Sequence, residues 1–300
     1  MPAVVPDAGL VQTGSSEATP VGRRRWTPYL LLLPGMAWLF VFFAVPLVSL
    51  FATSLQAPNP DGPGYVPGFE ISNYTDAIST YLPQFTRSFV YAGTATILAL
   101  LISYPLAYFI AFRAGRWRNL MLIMIVAPFF TSFLVRTNAW KSILADEGWL
   151  LSTFNSIWPG ADITVLSTWL AVVTGITYNF LPFMILPLYA ALDRIDPRLI
   201  EAAGDLYSRP FTGFRKVTLP LSMPGVIAGT LLTFIPAAGD YISSTLLGSP
   251  RTTMIGNVIQ AQFVSVRNYP LASALSFILM FTILVLVFLY IRRAGTEDLV

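Results

Sequence analysis

The sequence predicts an all-α integral membrane protein with six membrane-crossing helices, on three observations. Of its 300 residues, 55% are hydrophobic and only 11% charged, less than half of the roughly 25% typical of a soluble domain. Six apolar runs, most near the ~20 residues needed to cross a bilayer, alternate with polar intervals. Thirteen of the 18 lysines and arginines lie before the first run, after the sixth, or in the second and fourth intervals: residues 23–25, 113, 116, 118, 194, 198, 209, 215, 216, 292 and 293. By the positive-inside rule, those intervals and both termini are expected in the cytoplasm.

Taken in order, residues 1–28 form a tail rich in Pro, Gly, Ser and Thr, with no apolar core suited to a signal peptide, and it is predicted to be disordered. The first span runs from about Tyr29 to Leu55. A Pro- and Gly-rich interval to Arg87 contains Asp61, Glu70 and Asp76, with a short helix expected over 73–80. The second span, Ser88 to Phe112, carries Pro105, which a membrane helix tolerates as a kink. A third run, Asn119 to Val135, is short, and Arg136, Lys141, Asp146 and Glu147 follow it, so its far end is expected in a wet or protein-lined region. The fourth span, Ile163 to Leu192, contains Asn179, Pro182 and Pro187; the fifth, Met223 to Leu247, contains Pro236, Gly239 and Asp240; the sixth, Leu271 to Ile291, is unbroken and ends in Arg292 and Arg293. Residues 294–300 are expected to form a cytoplasmic C-terminal tail.

Absences exclude several chemistries. The sequence has no Cys and no His, which removes disulfides, thiolate nucleophiles, His-based metal sites and Ser-His-Asp catalysis. No Gly-x-x-x-x-Gly-Lys-Ser/Thr occurs, so no P-loop nucleotide site is expected, and no basic stripe supports nucleic-acid binding. The chain is therefore not expected to be an enzyme or to bind a cofactor itself; if ATP drives it, another subunit holds the ATP and Mg.

The organising stretch is the fourth interval, about 193–221. Glu201 and Asp205 stand four residues apart, on one face of a helix, and the small Ala202, Ala203 and Gly204 between them allow another surface to approach closely. Pro210 breaks that helix, and Arg215 and Lys216 lead to Leu219-Pro220, where the apolar fifth run begins. An ordinary solvated loop accounts for the charges alone, but not for a Glu-Ala-Ala and a Leu-Pro at this separation on the cytoplasmic side.

That pattern resembles the coupling motif of permease subunits of ATP-binding-cassette (ABC) importers. SYPLAYFIA at 103–111, PFFTSFLVRTNAW at 128–140, GDYISSTLLG at 239–248 and GNVIQAQFVSVRNYPLASA at 256–274 resemble the first permease subunit of spermidine/putrescine importers, the PotB type. The resemblance covers about residues 29–293. It implies a type I ABC importer (MetI-like) permease fold in a bacterial inner membrane. It also implies a second permease subunit, an ABC ATPase dimer on the cytoplasmic loops and an extracytoplasmic polyamine-binding protein. ATPase coupling would then fall to Glu201, Ala202, Ala203, Gly204, Asp205, Tyr207, Arg215, Leu219 and Pro220. Tyr207 departs from the family pattern, which has Gly at that turn because Gly accepts positive φ.

Asp240 is the sharpest candidate on the substrate pathway, because a carboxylate inside a span is costly and normally faces a cavity or a partner. A polyamine, a chain of ammonium groups, suits a buried carboxylate with aromatic faces nearby; Tyr241, Tyr178 and Trp140 are the aromatic candidates, and Asp146 and Glu147 the acidic ones at the outer mouth. Asp240 could equally pair with Arg136 or Arg251, or cap a broken helix. The same architecture also serves thiamine, ferric iron or phosphonates, and an ATPase-independent secondary transporter is the alternative outside the class, although it would want several intramembrane acids or an inverted repeat.

Overall fold

The computed structural model describes residues 27–157, 164–206 and 210–294. Most of the two expected tails, and Tyr207, lie outside the described residues. The chain divides into two units, residues 1–49 and 50–300. In the first, α1 (Thr27–Leu39) passes through a π-helical segment, Phe40–Ala44, into α2 (Val45–Ser54). The rings of Trp38 and Phe42, one turn apart, lie 4.2 Å between centroids. The stretch Tyr29–Ser54 is long and apolar enough to cross a membrane.

In the second unit a short antiparallel hairpin, β1 (Ala57–Pro58) with β2 (Tyr65–Val66), precedes α3 (Ser72–Phe112). There follow α4 (Arg118–Val126), α5 (Phe133–Ile143), α6 (Trp149–Ile157) and α7 (Trp169–Asp193). Next come α8 (Pro197–Leu206), α9 (Pro210–Gly213), α10 (Leu219–Leu221) and α11 (Met223–Ala238), then α12 (Ile242–Leu247), α13 (Ile255–Ala261) and α14 (Tyr269–Ala294). Among the described residues, four helices are long and apolar enough to cross a membrane, or up to six when each of two bent pairs counts as one span.

The structure corrects the sequence expectation at three places. The helix expected over 73–80 and the span expected from Ser88 are one 41-residue helix, α3, which at 1.5 Å per residue rises ~60 Å, about twice a hydrocarbon core. Tertiary packing carries the helix through the polar stretch. Ala77 and Phe85 are buried with Ile255, Val258, Ala274 and Leu275, and Ser88 Oγ accepts the Ile255 N–H at 2.7 Å. At the start of α3, Asn73 Nδ2 donates to the carbonyls of Ser54 and Gln56, both at 3.0 Å, and Ser54 Oγ meets Tyr74 OH at 2.7 Å.

The second correction concerns the third run, which turns by 98° between Gly115–Phe130 and Phe133–Ile143, through extended backbone at Thr131 and Ser132. The bend falls four residues before the first charge, Arg136, with Phe133, Leu134 and Val135 beyond it. The third place is the fifth span, expected over Met223 to Leu247 with a broken helix at Asp240 left open, and the break is present. Its helix stops at Ala238 and restarts at Ile242, where Pro236, Gly239 and Asp240 all disfavour an unbroken ladder.

The core is centred on α7. Val172, Val173, Ile176 and Phe180 pack with Ala92 and Ala95 of α3 and Ala237 and Ala238 of α11, and further along Met184, Ile185, Leu188 and Leu192 pack with Ala99 and Ala107. Small residues let the backbones approach, as membrane helices require when dispersion rather than the hydrophobic effect drives association. The α7–α11 contact is one such close approach: a Cβ on Gly229 would lie 2.8 Å from Met184 Sδ, and one on Gly225 would lie 2.8 Å from the Pro187 carbonyl oxygen.

Candidate functional site

Two regions contain the residues singled out in the sequence. The first is the polar interval between α7 and α11. α8 forms over Pro197–Leu206, with Glu201, Ala202, Gly204 and Asp205 exposed and Ala203 buried at 5%. Ala203 faces the second arm, since a Cβ on Gly213 would lie 3.6 Å from its own. A Cβ on Gly204 would meet nothing within 4 Å, so the smallness of Gly204 serves no packing inside the described chain. Leu206 and Phe211 are 80% and 72% exposed beside it, an apolar edge that a solvated loop has no use for.

The second arm is anchored. Phe214 sets its ring edge to Tyr104 and Tyr108 of α3, with centroids at 5.5 and 6.4 Å. Tyr104 OH meets Ser222 Oγ at 2.7 Å where Phe211–Leu221 bends by 65° into α11. Arg215 and Pro220 are exposed and Leu219 is half-buried. At the other end of the interval, Arg118 pairs with Asp193 and lies 5.0 Å from the Tyr189 ring centroid. The interval is thus held at both ends while the outer face of α8 stays uncovered.

The second region is the break between α11 and α12. Asp240 is buried at 7%, and its Oδ1 accepts the N–H groups of Ile242 at 2.9 Å and Ser243 at 3.2 Å. Of the roles left open by the sequence, the helix cap is therefore realised. The pairing with Arg136 or Arg251 is not, since among the described residues no ion pair reaches Asp240. Among the described residues its Oδ2 is buried with no hydrogen-bond partner.

Polar residues missed in the sequence surround this break. Asn179 of α7 donates to Thr137 Oγ1 of α5 at 3.0 Å and reaches Ser243 Oγ of α12 at 3.5 Å. All three are buried, and among the described residues Asn179 Oδ1 has no partner. Arg136 is also buried, with its guanidinium 4.9 Å from the Phe129 centroid and 5.7 Å from that of Phe133. The available signal was an amide in the middle of an apolar span, which a membrane helix carries at a cost.

Of the aromatic candidates, Trp140 and Tyr178 meet edge to face at 5.3 Å, joining α5 to α7. Tyr241 is 42% exposed, and its carbonyl accepts Asn257 Nδ2 at 3.0 Å. Asp146 and Glu147 are exposed in the turn between α5 and α6 and take no part in the Asp240 cluster.

The family model described as the inner membrane component of binding-protein-dependent transport systems matches residues 24–294. The chain belongs to that family. Among relatives of this permease, the spermidine/putrescine transport system permease protein PotB of Haemophilus influenzae is 39% identical over 259 residues, covering 85% of this chain and 90% of its own. The PotB of Escherichia coli K12 is 33% identical over 268 residues, covering 88% and 96%. A chain of a bacterial ABC transporter involved in the import of the acidic polysaccharide alginate superposes with a TM-score of 0.66 at 21% identity, covering 90% of this chain and 96% of its own. That likeness shows the fold, a MetI-like arrangement of helices.

Proposed function

We propose that this chain is the transmembrane permease subunit of an ATP-driven importer moving polyamines, spermidine and putrescine, into the cytoplasm by alternating access. The observation that carries the substrate class is the identity of 39% and 33% to two spermidine/putrescine permeases, each over 85% or more of the chain. The distribution of Lys and Arg supports an inner-membrane topology with both termini and the α8 interval in the cytoplasm. ATP and Mg are then held by a separate ABC ATPase dimer. A second permease completes the pathway, and an extracytoplasmic polyamine-binding protein delivers the substrate.

The coupling surface is the outer face of α8. Glu201 and Asp205 offer carboxylates to a basic groove in the ATPase, Gly204 permits close approach, and Leu206 and Phe211 supply apolar contact. Motion of the ATPases passes through the anchored second arm and Ser222 into α11, whose far end carries the Asp240 break. Ala202, Ala203, Arg215, Leu219 and Pro220 shape this lever. In the membrane, the free Oδ2 of Asp240 is the acceptor offered to an ammonium group, with Tyr241, Tyr178 and Trp140 as aromatic faces along the path and Asp146 and Glu147 at its mouth.

The deciding experiment is uptake of labelled spermidine and putrescine into vesicles holding this chain with its partner subunits, with and without ATP. ATP-dependent accumulation of either is the expected outcome. Uptake without any ATPase would overturn the importer reading, and coupled ATP hydrolysis with no polyamine movement would leave the architecture and change the substrate.

A further inference from the structure

Between α11 and α14 lie two apolar cavities of about 410 and 370 Å³, and Val287 lines both. The larger is walled by Leu231 and Phe234 of α11 and Leu286 and Leu289 of α14, and its end is formed by Tyr290 and Arg293. The smaller continues toward Leu279 and Ile283. The outward face of α14 is uncovered here, with Phe281 and Phe288 68% and 62% exposed. Arg292 and Arg293 are both exposed at the end of the helix.

We propose that this groove is a binding site for an anionic phospholipid of the cytoplasmic leaflet, one acyl chain lying along Val287 and the headgroup phosphate on Arg293. The leaflet rests on the topology proposed above. The apolar walls suit an acyl chain. The charge at the groove's end selects the headgroup. A guanidinium matches phosphate oxygens in bidentate fashion, and a tyrosine beside it belongs at headgroup level. The neighbouring Arg292 raises the positive potential further, which favours a net negative lipid over a zwitterionic one.

The test is native mass spectrometry of the importer, purified in detergent with its partner subunits, after addition of phosphatidylglycerol or phosphatidylcholine. Retention of phosphatidylglycerol on this subunit over phosphatidylcholine is expected. Arg293→Gln should lower that retention about fivefold, the value of one basic contact near a lipid surface, with Arg293→Lys restoring part of it. Val287→Trp should remove it by filling the groove. Equal retention of the two lipids, or retention indifferent to Arg293→Gln, overturns the proposal. So does a Val287→Cys that cross-links to another protein chain, which would make the occupant a helix. The readout does not involve transport, so a failed lipid result leaves the polyamine reading intact. A C-terminal fluorescent fusion that stays dark would move the site to the other leaflet and overturn that part alone.

Discussion

Asp240 Oδ1 accepts the Ile242 N–H at 2.9 Å, so the one intramembrane carboxylate of the fifth span also starts the helix that follows it. One oxygen is committed to the backbone and the other is buried, without a partner among the described residues. The residue thereby joins a structural duty to an electrostatic one, and substitutions separate them.

Asp240→Asn keeps an oxygen for the cap and removes the charge. Thermal stability of the purified complex should change little, while the KM for spermidine uptake rises about tenfold, as expected for one lost charge-assisted contact. Asp240→Ala should in addition cost about 1 kcal/mol of stability through the lost cap. Unchanged spermidine KM in Asp240→Asn would reduce the residue to a cap.

Asn179→Leu breaks the link to Thr137 and Ser243 that ties α7 to α5 and α12. A destabilisation of about 0.6–1.7 kcal/mol is expected from interhelical hydrogen bonds in membranes. Thermal unfolding of the solubilised complex, followed by size-exclusion chromatography, reads it; the Thr137→Val variant should show a similar loss, and the double variant less than the sum because the two act through one bond.

Gly229→Val drives a side chain into Met184, where even a Cβ would be 2.8 Å from the sulfur and 3.1 Å from the carbonyl oxygen. Overpacking of this kind costs about 1–3 kcal/mol, and the yield of monodisperse complex should fall. Gly93→Ala, whose Cβ would meet nothing within 4 Å, is the matched control and should be neutral.

Gly204→Leu and Glu201→Ala change only the exposed face of α8. Both should leave the stability of the isolated chain within about 0.5 kcal/mol. Both should also lower co-purification of the ATPase and substrate-stimulated ATP hydrolysis, by about tenfold for the lost carboxylate contact. Normal coupling in both variants would place the ATPase contact elsewhere.

Arg118→Gln removes the ion pair with Asp193, whose side chains are 38% and 34% exposed. The loss should be small and shrink in high salt, as for other solvent-screened pairs. A larger, salt-independent loss would mean that the stacking on Tyr189, rather than the charge, holds the loop.

The sequence by itself determined the class of the protein. Apolar runs of spanning length, the scarcity of charge, the segregation of Lys and Arg, and the Glu201 to Pro220 spacing are all properties of local composition, because a bilayer imposes its thickness and its charge asymmetry one segment at a time. Asp240 was legible for the same reason, as a costly charge in an apolar run. Tertiary structure alone decided where helices continue and where they break. α3 runs through a stretch that reads as loop because Ala77, Phe85 and Ser88 are covered by residues some 170 to 200 positions later. Asn179 looked like an isolated amide until the fold set Thr137 and Ser243 beside it. Hydropathy sums over neighbours along the chain, whereas hydrogen-bond partners and close backbone approaches depend on neighbours in space. The cap on α12, the Gly229 to Met184 contact and the groove ending at Arg293 are all of that second kind.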